Sequence, residues 1–222
     1  MTVAILFSYA VMHLCLFAAS FLWGIKGSIR LIFLQLMLFG MIYDNLVTGL
    51  GPWFIEERLY EIFNYPRYLL HSAVLPFLTI FALSTLQSAG VAVASKKIFI
   101  GFCWLFTTVA WWYGVLADAF QVELVQREVM GSVRLANGRD IIPYATILTN
   151  LWVVVMAFML WRQIQWPWMF AGGLFILLVN GAFGSQPWGP LSGNGAEVVF
   201  IFSLLMTERH LRRREQSQRV SQ

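Results

Sequence analysis

Asp44 and Glu197 are the residues to explain first. Asp44 sits in "MIYDNLVTGLGPW", at the end of an apolar run long enough to cross a bilayer, and Glu197 sits in "GNGAEVVFIFSLL", at the start of another. A carboxyl group inside a membrane is costly and faces either a cavity or a partner. Other polar residues fall at the same level of neighbouring runs: Tyr43 and Asn45 beside Asp44, Arg67 and His71 four residues apart on one helix face, Asp118, Asn150, Asn180, and Asn194 three residues before Glu197. A carboxylic acid held in an apolar, water-poor site keeps its proton near neutral pH and can donate it. Aromatic faces stabilise a nearby cation, and Trp111, Trp112 and Tyr113 are consecutive, so at least one points inward. An acid, a base and a π-lined cavity are what protonation-initiated cyclisation or isomerisation of a polyprenyl chain requires. On this reading Asp44 is the donor and Glu197 its partner or the terminal base. Tyr43, Trp111, Trp112 and Tyr113 line the cavity, and Arg67 and His71 tune the acids. The plainer reading makes Arg67–Asp44 and His71–Glu197 packing pairs, and Asn150 and Asn180 helix-to-helix hydrogen bonds.

The elements that must position these residues are transmembrane helices. The 222-residue chain is 59% apolar, 16% aromatic and 12% charged, with a mean hydropathy of +0.70. That charge content is about half the usual share for a soluble domain. Apolar stretches of spanning length run over about 2–23, 31–50, 67–87, 97–119, 143–161, 166–184 and 193–208. The expected fold is therefore an all-α bundle of seven transmembrane helices in one domain, 1–208, followed by a basic, polar, disordered tail, 209–222, with "RRREQSQRVSQ" at its end.

Lysine and arginine give the orientation. Lys26, Arg30, Lys96, Lys97, Arg162, Arg209, Arg212, Arg213, Arg214 and Arg219 fall on one side. Arg58, Arg67, Arg127, Arg134 and Arg139 fall on the other, diluted by six acids. This predicts an amino terminus outside and a carboxyl terminus in the cytoplasm of a multi-pass cell-membrane protein. The basic pI near 9.3 is then topological and does not point to nucleic acid. The inner halves of the helices read as almost purely apolar apart from Ser, Thr and Gln.

Two connecting loops carry structure of their own. "WFIEERLYEIFNYPRY" places Phe54, Ile55, Leu59, Ile62 and Phe63 at helical spacing, a short interfacial helix. Pro66 then suits the first turn of the next helix, with Asn64 as its cap. "SVRLANGRDII" alternates around Asn137-Gly138, a hairpin signal. The two together form a lid, or are plain connections.

Several classes are excluded. Lys26, Lys96 and Lys97 all lie in loops, so no lysine is available for a retinal Schiff base. Three histidines, one in the tail, do not make the zinc site of a membrane hydrolase. Paired Asp-rich motifs for magnesium and diphosphate are absent, and neither a metal nor another cofactor is expected. Cys15 and Cys103 read as small buried hydrophobes.

The helix count, the chain length and the placing of Asp44 and Glu197 resemble the small seven-helix membrane-bound terpene cyclases of meroterpenoid pathways. Those depend on one acid in the second helix, in an Asn-x-x-x-Glu setting where this chain has "YDN", and on another in the seventh. The resemblance implies a lipophilic terpenoid substrate and a catalytic role for Asp44 and Glu197. The segments "YDNLVTGLG", "YPRYLLHSAVLP" and "GNGAEVVFIFSLL" also resemble a group of uncharacterised bacterial and plastid-type membrane proteins. Two other functions fit the same residues. One is a transporter or small-ligand binding protein with a proton or cation site at Asp44, His71 and Glu197, hinged at Pro76. The other is a scaffold subunit of a membrane complex.

Overall fold

A computed structural model describes residues 1–23, 28–139 and 142–220. Lys26 and Asp140, and the side chains of Asp118 and Arg219, lie outside the described set. The described residues are helical apart from one hairpin and the connecting turns. The helices are α1 (Thr2–Leu22), α2 (Ile29–Gly49), α3 (Arg58–Val74), α4 (Leu78–Ser88) and α5 (Lys97–Gly114). The hairpin follows, β1 (Leu124–Val129) and β2 (Ser132–Asn137), and then α6 (Tyr144–Ile164), α7 (Trp168–Phe183) and α8 (Gly189–Val220). Six helical segments, with Arg58–Ser88 counted as one, are long and apolar enough to cross a membrane. The apolar helix α7 is shorter, at 16 residues. Within a bilayer a helix satisfies its own backbone, and the outward faces carry exposed apolar side chains such as Val11, Phe39, Leu105, Leu151 and Leu178. This composition places the chain among membrane proteins.

Helix packing closes a ring. α2 packs on α3 and α8, α8 on α7, α7 on α6, and α6 on α4. α1 lies outside this ring against α2 and α8, and α5 lies outside it against α6. At the end away from the hairpin the ring is filled: Leu34, Leu38, Leu78, Met156, Leu160, Met169, Leu204 and Leu205 are all essentially inaccessible.

Several sequence expectations change. The run after Gly49 makes a single turn, Gly51–Phe54, and α3 starts at Arg58, well ahead of 67. Pro66 is therefore inside α3 and not in its first turn. Asn64 does not cap; it is fully buried and donates from Nδ2 to the Tyr60 carbonyl at 2.7 Å. A proline inside a helix removes one backbone donor. The neighbouring Phe63 carbonyl accepts from the Tyr43 hydroxyl at 2.7 Å, so α2 braces α3 beside Pro66. Pro76 sits in a 3₁₀ turn, Leu75–Phe77, that joins α3 to α4.

The hairpin exists, but its turn is not at Asn137-Gly138. Register pairs Val129 with Ser132, and the turn is Met130-Gly131, with φ of 49° and 75°. Both values are positive, as the tight turn that matches strand twist requires. Asn137 instead closes the open end, its Oδ1 accepting from the amides of Glu123 (3.4 Å) and Arg139 (3.1 Å).

The carboxyl-terminal segment differs most. α8 does not stop near 208; it continues as helix to Val220. Arg212 bridges Glu208 at 3.0 Å and Glu215 at 3.1 Å along the helix, and Arg30 of α2 pairs with both acids. Arg30, expected as a loop charge, and Glu208 are both buried. Ser28 caps α2 and donates to Glu208, and Ser84 and Ser88 of α4 accept from Arg30. The end of the bundle away from the hairpin thus holds a buried ionic network where the sequence reads as apolar. Its charges balance and each is partnered.

Candidate functional site

One stripe of α2, Leu36, Met37, Gly40, Met41 and Asp44, faces into the ring. These positions recur at helical spacing, so one face of α2 is apolar at one end and acidic at the other. It lines a cavity of about 400 Å³ together with the hairpin and four other helices. α3 contributes Arg67, Tyr68, Leu70, His71, Val74 and the adjoining Leu75; α6 contributes Thr146 and Asn150; α7, Ile176 and Asn180; and α8, Asn194, Glu197 and Phe200. The roof holds Arg134, Asn137 and Arg139. Helix directions place the polar groups toward the hairpin, while Met37, Ile176 and Phe200 form an apolar floor on the packed core.

Asp44 is ion-paired: Arg67 Nε donates to its Oδ1 at 2.8 Å. Arg67 is 8% exposed. It also donates from Nη1 to Asn64 Oδ1 at 2.6 Å and to the Leu135 carbonyl at 3.2 Å. One guanidinium therefore ties α2, α3 and β2 together beneath the roof. His71 Nε2 lies 3.4 Å from Thr146 Oγ1, across from α3 to α6. Asn194 Nδ2 donates to Asn45 Oδ1 at 2.9 Å, fixing α8 against α2. Asn45 is itself fully buried and donates to the Met41 carbonyl at 2.8 Å. Asn150 Oδ1 is buried without a hydrogen-bond partner among the described residues.

Glu197 makes no hydrogen bond or ion pair with a described residue, and it lies in electrostatic reach of Asp44. The two acids thus have different roles. Asp44 is a fixed charge partner for Arg67, which suits it poorly to proton donation. Glu197 is a free carboxyl in an apolar-floored cavity, the group available to give or take a proton.

Seven of the residues singled out in the sequence line this cavity: Asp44, Arg67, His71, Asn150, Asn180, Asn194 and Glu197. Tyr43 and Asn45 support it from behind. Trp111, Trp112 and Tyr113 do not line it, because α5 is outside the ring. Trp111 and Trp112 meet edge to face at 5.1 Å, and Trp112 and Tyr113 are exposed on the outer surface. The aromatic rings in the lining are those of Tyr68 and Phe200.

Sequence reasoning passed over Arg134, Asn137 and Arg139 as site residues. The signal was present: an alternating basic segment within the loop read as a lid. Arg139 is paired with Glu123, which holds that carboxyl below the usual carboxylate range. Arg134 makes no ion pair or hydrogen bond with a described residue, and its Nε is buried. Burial first, and then the neighbouring Arg67 charge, hold its guanidinium below the usual range, with Asp44 opposing them. Among the described residues no group of three or more His, Cys, Asp and Glu side chains gathers in a metal-binding arrangement.

No protein family, no curated protein and no solved structure matches the chain.

Proposed function

We propose that this chain is a multi-pass membrane enzyme that isomerises a lipid-soluble, polyprenyl-type substrate by proton transfer, with Glu197 as the acid–base group. The reading includes a seventh span at α7, the hairpin end outside, and the basic end of α8 in the cytoplasm of a cell membrane, on the charge asymmetry given above. The carrying observation is a cavity floored by apolar side chains and rimmed by polar ones, in which a single carboxyl group stands without a partner among the described residues. Its volume falls in the range of small-molecule sites. A longer tail would leave between the helices into lipid.

The chemistry balances without a co-reactant. The protonated Glu197 gives its proton to one carbon of a double bond, and the neighbouring carbon becomes cationic. Loss of a proton from an adjacent carbon to the carboxylate forms the new double bond, and the mass is unchanged. Asp44 acts as a positioning residue through Arg67. Multi-ring cyclisation is less well supported than double-bond migration, because Tyr68 and Phe200 are a sparse π surface for guiding several cationic centres. The resemblance to the terpene cyclases favours the same substrate class but assigns the two acids less unequal roles. The solid core beneath the floor weighs against a permeation route.

Cells expressing wild type, Glu197→Gln or Asp44→Asn, each fed polyprenyl-bearing precursors, test the reading. Mass-resolved chromatography of their lipids should show isomers of unchanged mass with wild type and none with Glu197→Gln. A Glu197→Gln protein that folds and still makes the isomers overturns the assignment. Equal profiles in all strains favour a binding protein over an enzyme.

A further inference from the structure

The geometry points to an anionic head on the molecule this cavity takes: a carboxylate or phosphate held by Arg134 at the hairpin end, with the apolar chain running down past Glu197 toward Met37 and Phe200. This inference rests on the proposal that the cavity binds a lipid-soluble molecule, and it specifies which chemical class.

The charges of the lining carry the argument. Arg67 is spent on Asp44 and Arg139 on Glu123. That leaves one cation, Arg134, as well as one carboxyl, Glu197, without a partner among the described residues. They do not answer each other. Glu197 lies eight residues into α8, about 12 Å along its axis, whereas Arg134 belongs to the roof strand. Arg134 and Arg67 are instead close enough to repel, and the Asp44 carboxylate that offsets this is bonded to Arg67. A guanidinium drawn partly out of water with no carboxylate bonded to it is costly. An anion entering from the membrane surface removes that cost.

Arg134 is also held in place. On one side of it, the Val133 carbonyl lies against Gly51 so closely that a Cβ there would come within 2.2 Å. On the other, the Leu135 carbonyl accepts from Arg67. Further along the hairpin, Thr2 Oγ1 donates to the Met130 carbonyl at 2.9 Å, and Val129 packs with Leu6 and Leu191. A surface arginine that merely reaches for water needs no such clamp. Asn137 adds a donor: its Oδ1 is occupied by two backbone amides, so its Nδ2 is the end left for a ligand oxygen. A fixed guanidinium with a neutral N–H beside it is a forked donor set suited to carboxylate or phosphate oxygens.

The full chain in nanodiscs of zwitterionic lipid is titrated with dodecyl phosphate, dodecanoate and dodecanol, and bound ligand is counted by native mass spectrometry. Wild type should hold one or both anions about tenfold more tightly than dodecanol, and the tighter of the two names the head. Arg134→Gln should bring that ratio close to one while dodecanol still binds, which also shows that the variant is folded. Arg127→Gln removes the same charge from the facing position on β1 and should keep the ratio. Should Arg134→Gln fail to fold, Arg134→Lys is read instead, and a severalfold fall in the ratio is expected. Equal binding of all three ligands to wild type, an unchanged ratio in the Arg134 variants, or the same loss in Arg127→Gln overturns the anionic head alone. Failure of every ligand, dodecanol included, to bind wild type sinks the lipid-cavity reading beneath it.

Discussion

Replacing Asp44 with Asn tests whether that residue is a reacting acid or a charge partner. The substitution keeps size and hydrogen-bonding shape but removes the only carboxylate bonded to Arg67 among the described residues. Breaking a buried ion pair from one side costs about 3–5 kcal/mol, because an uncompensated charge remains. Two features reduce that figure here. Arg67 keeps two neutral acceptors, Asn64 Oδ1 and the Leu135 carbonyl, and Asp44 is 33% exposed toward the cavity, where water can screen. About 2 kcal/mol is expected, roughly thirtyfold in the folding equilibrium. Unfolding in mixed micelles of increasing denaturing detergent, followed by tryptophan fluorescence, measures it. A double-mutant cycle with Arg67→Gln then isolates the pair, with an expected coupling of about 1–2 kcal/mol. Because Arg67 also holds the Leu135 carbonyl, amide exchange in β2 should rise in Arg67→Gln more than in Asp44→Asn. Full stability in Asp44→Asn with a coupling below about 0.5 kcal/mol, together with lost conversion, would refute the positioning role and make Asp44 the reacting acid.

Three further substitutions probe the frame around the site. Glu208→Ala should destabilise by about 3 kcal/mol in the same assay, the low end of the cost of breaking a buried pair, since buried Arg30 loses one carboxylate and keeps Glu215; stability equal to wild type would make the network decorative. Gly172→Ala places a Cβ 2.1 Å from Ser203 Oγ where α7 meets α8. It should cost about 1–3 kcal/mol, and Ser203→Gly in the same chain should recover most of the loss. Met130→Asn puts a residue tolerant of positive φ into the hairpin turn. It should gain about 0.5–1 kcal/mol, read as slower amide exchange across β1 and β2, and faster exchange would contradict the turn geometry.

How much of this was legible follows from what periodicity encodes. A helix rises a fixed distance per residue, so chain direction alone sets Asp44, His71, Asn150 and Glu197 at comparable depth. Depth is not azimuth, nor does it give the order of helices around a bundle. Trp111, Trp112 and Tyr113 have the right depth on a helix that packs outside the ring, and no pattern within α5 says so. Pairing was legible only between consecutive helices: the plainer reading named Arg67–Asp44, which joins α2 to α3. Arg30 reaches Glu208 from 178 positions away only because α2 and α8 are neighbours, which no local pattern shows. In the hairpin, Asn-Gly is the stronger local turn signal, yet tertiary packing overrode it. Only the register with the turn at Met130-Gly131 buries Val129 beside α1 and Leu135 against Val47 and Tyr60.

The two polar layers of the bundle are built from the same helices, α2 and α8, and the contrast between them favours a working site at one end. At the tail end Arg30, Arg212, Glu208 and Glu215 cancel, serines take the remaining guanidinium hydrogens, and the apolar core closes directly against them. Within that network nothing is left for a ligand to satisfy; the Arg209 Nε at this end has no described hydrogen-bond partner, but its guanidinium lies 5.0 Å from the centre of the Trp23 ring. At the hairpin end Arg134, Glu197 and the Asn150 carbonyl oxygen have no described partner around about 400 Å³ of open space. A bundle that needed only helix adhesion would gain by satisfying both layers, because an unmatched buried polar group costs about 1–3 kcal/mol. Satisfaction at one end shows that these helices can arrange charge economically. Groups left unmatched at the other end are therefore better explained by what enters the cavity than by the fold.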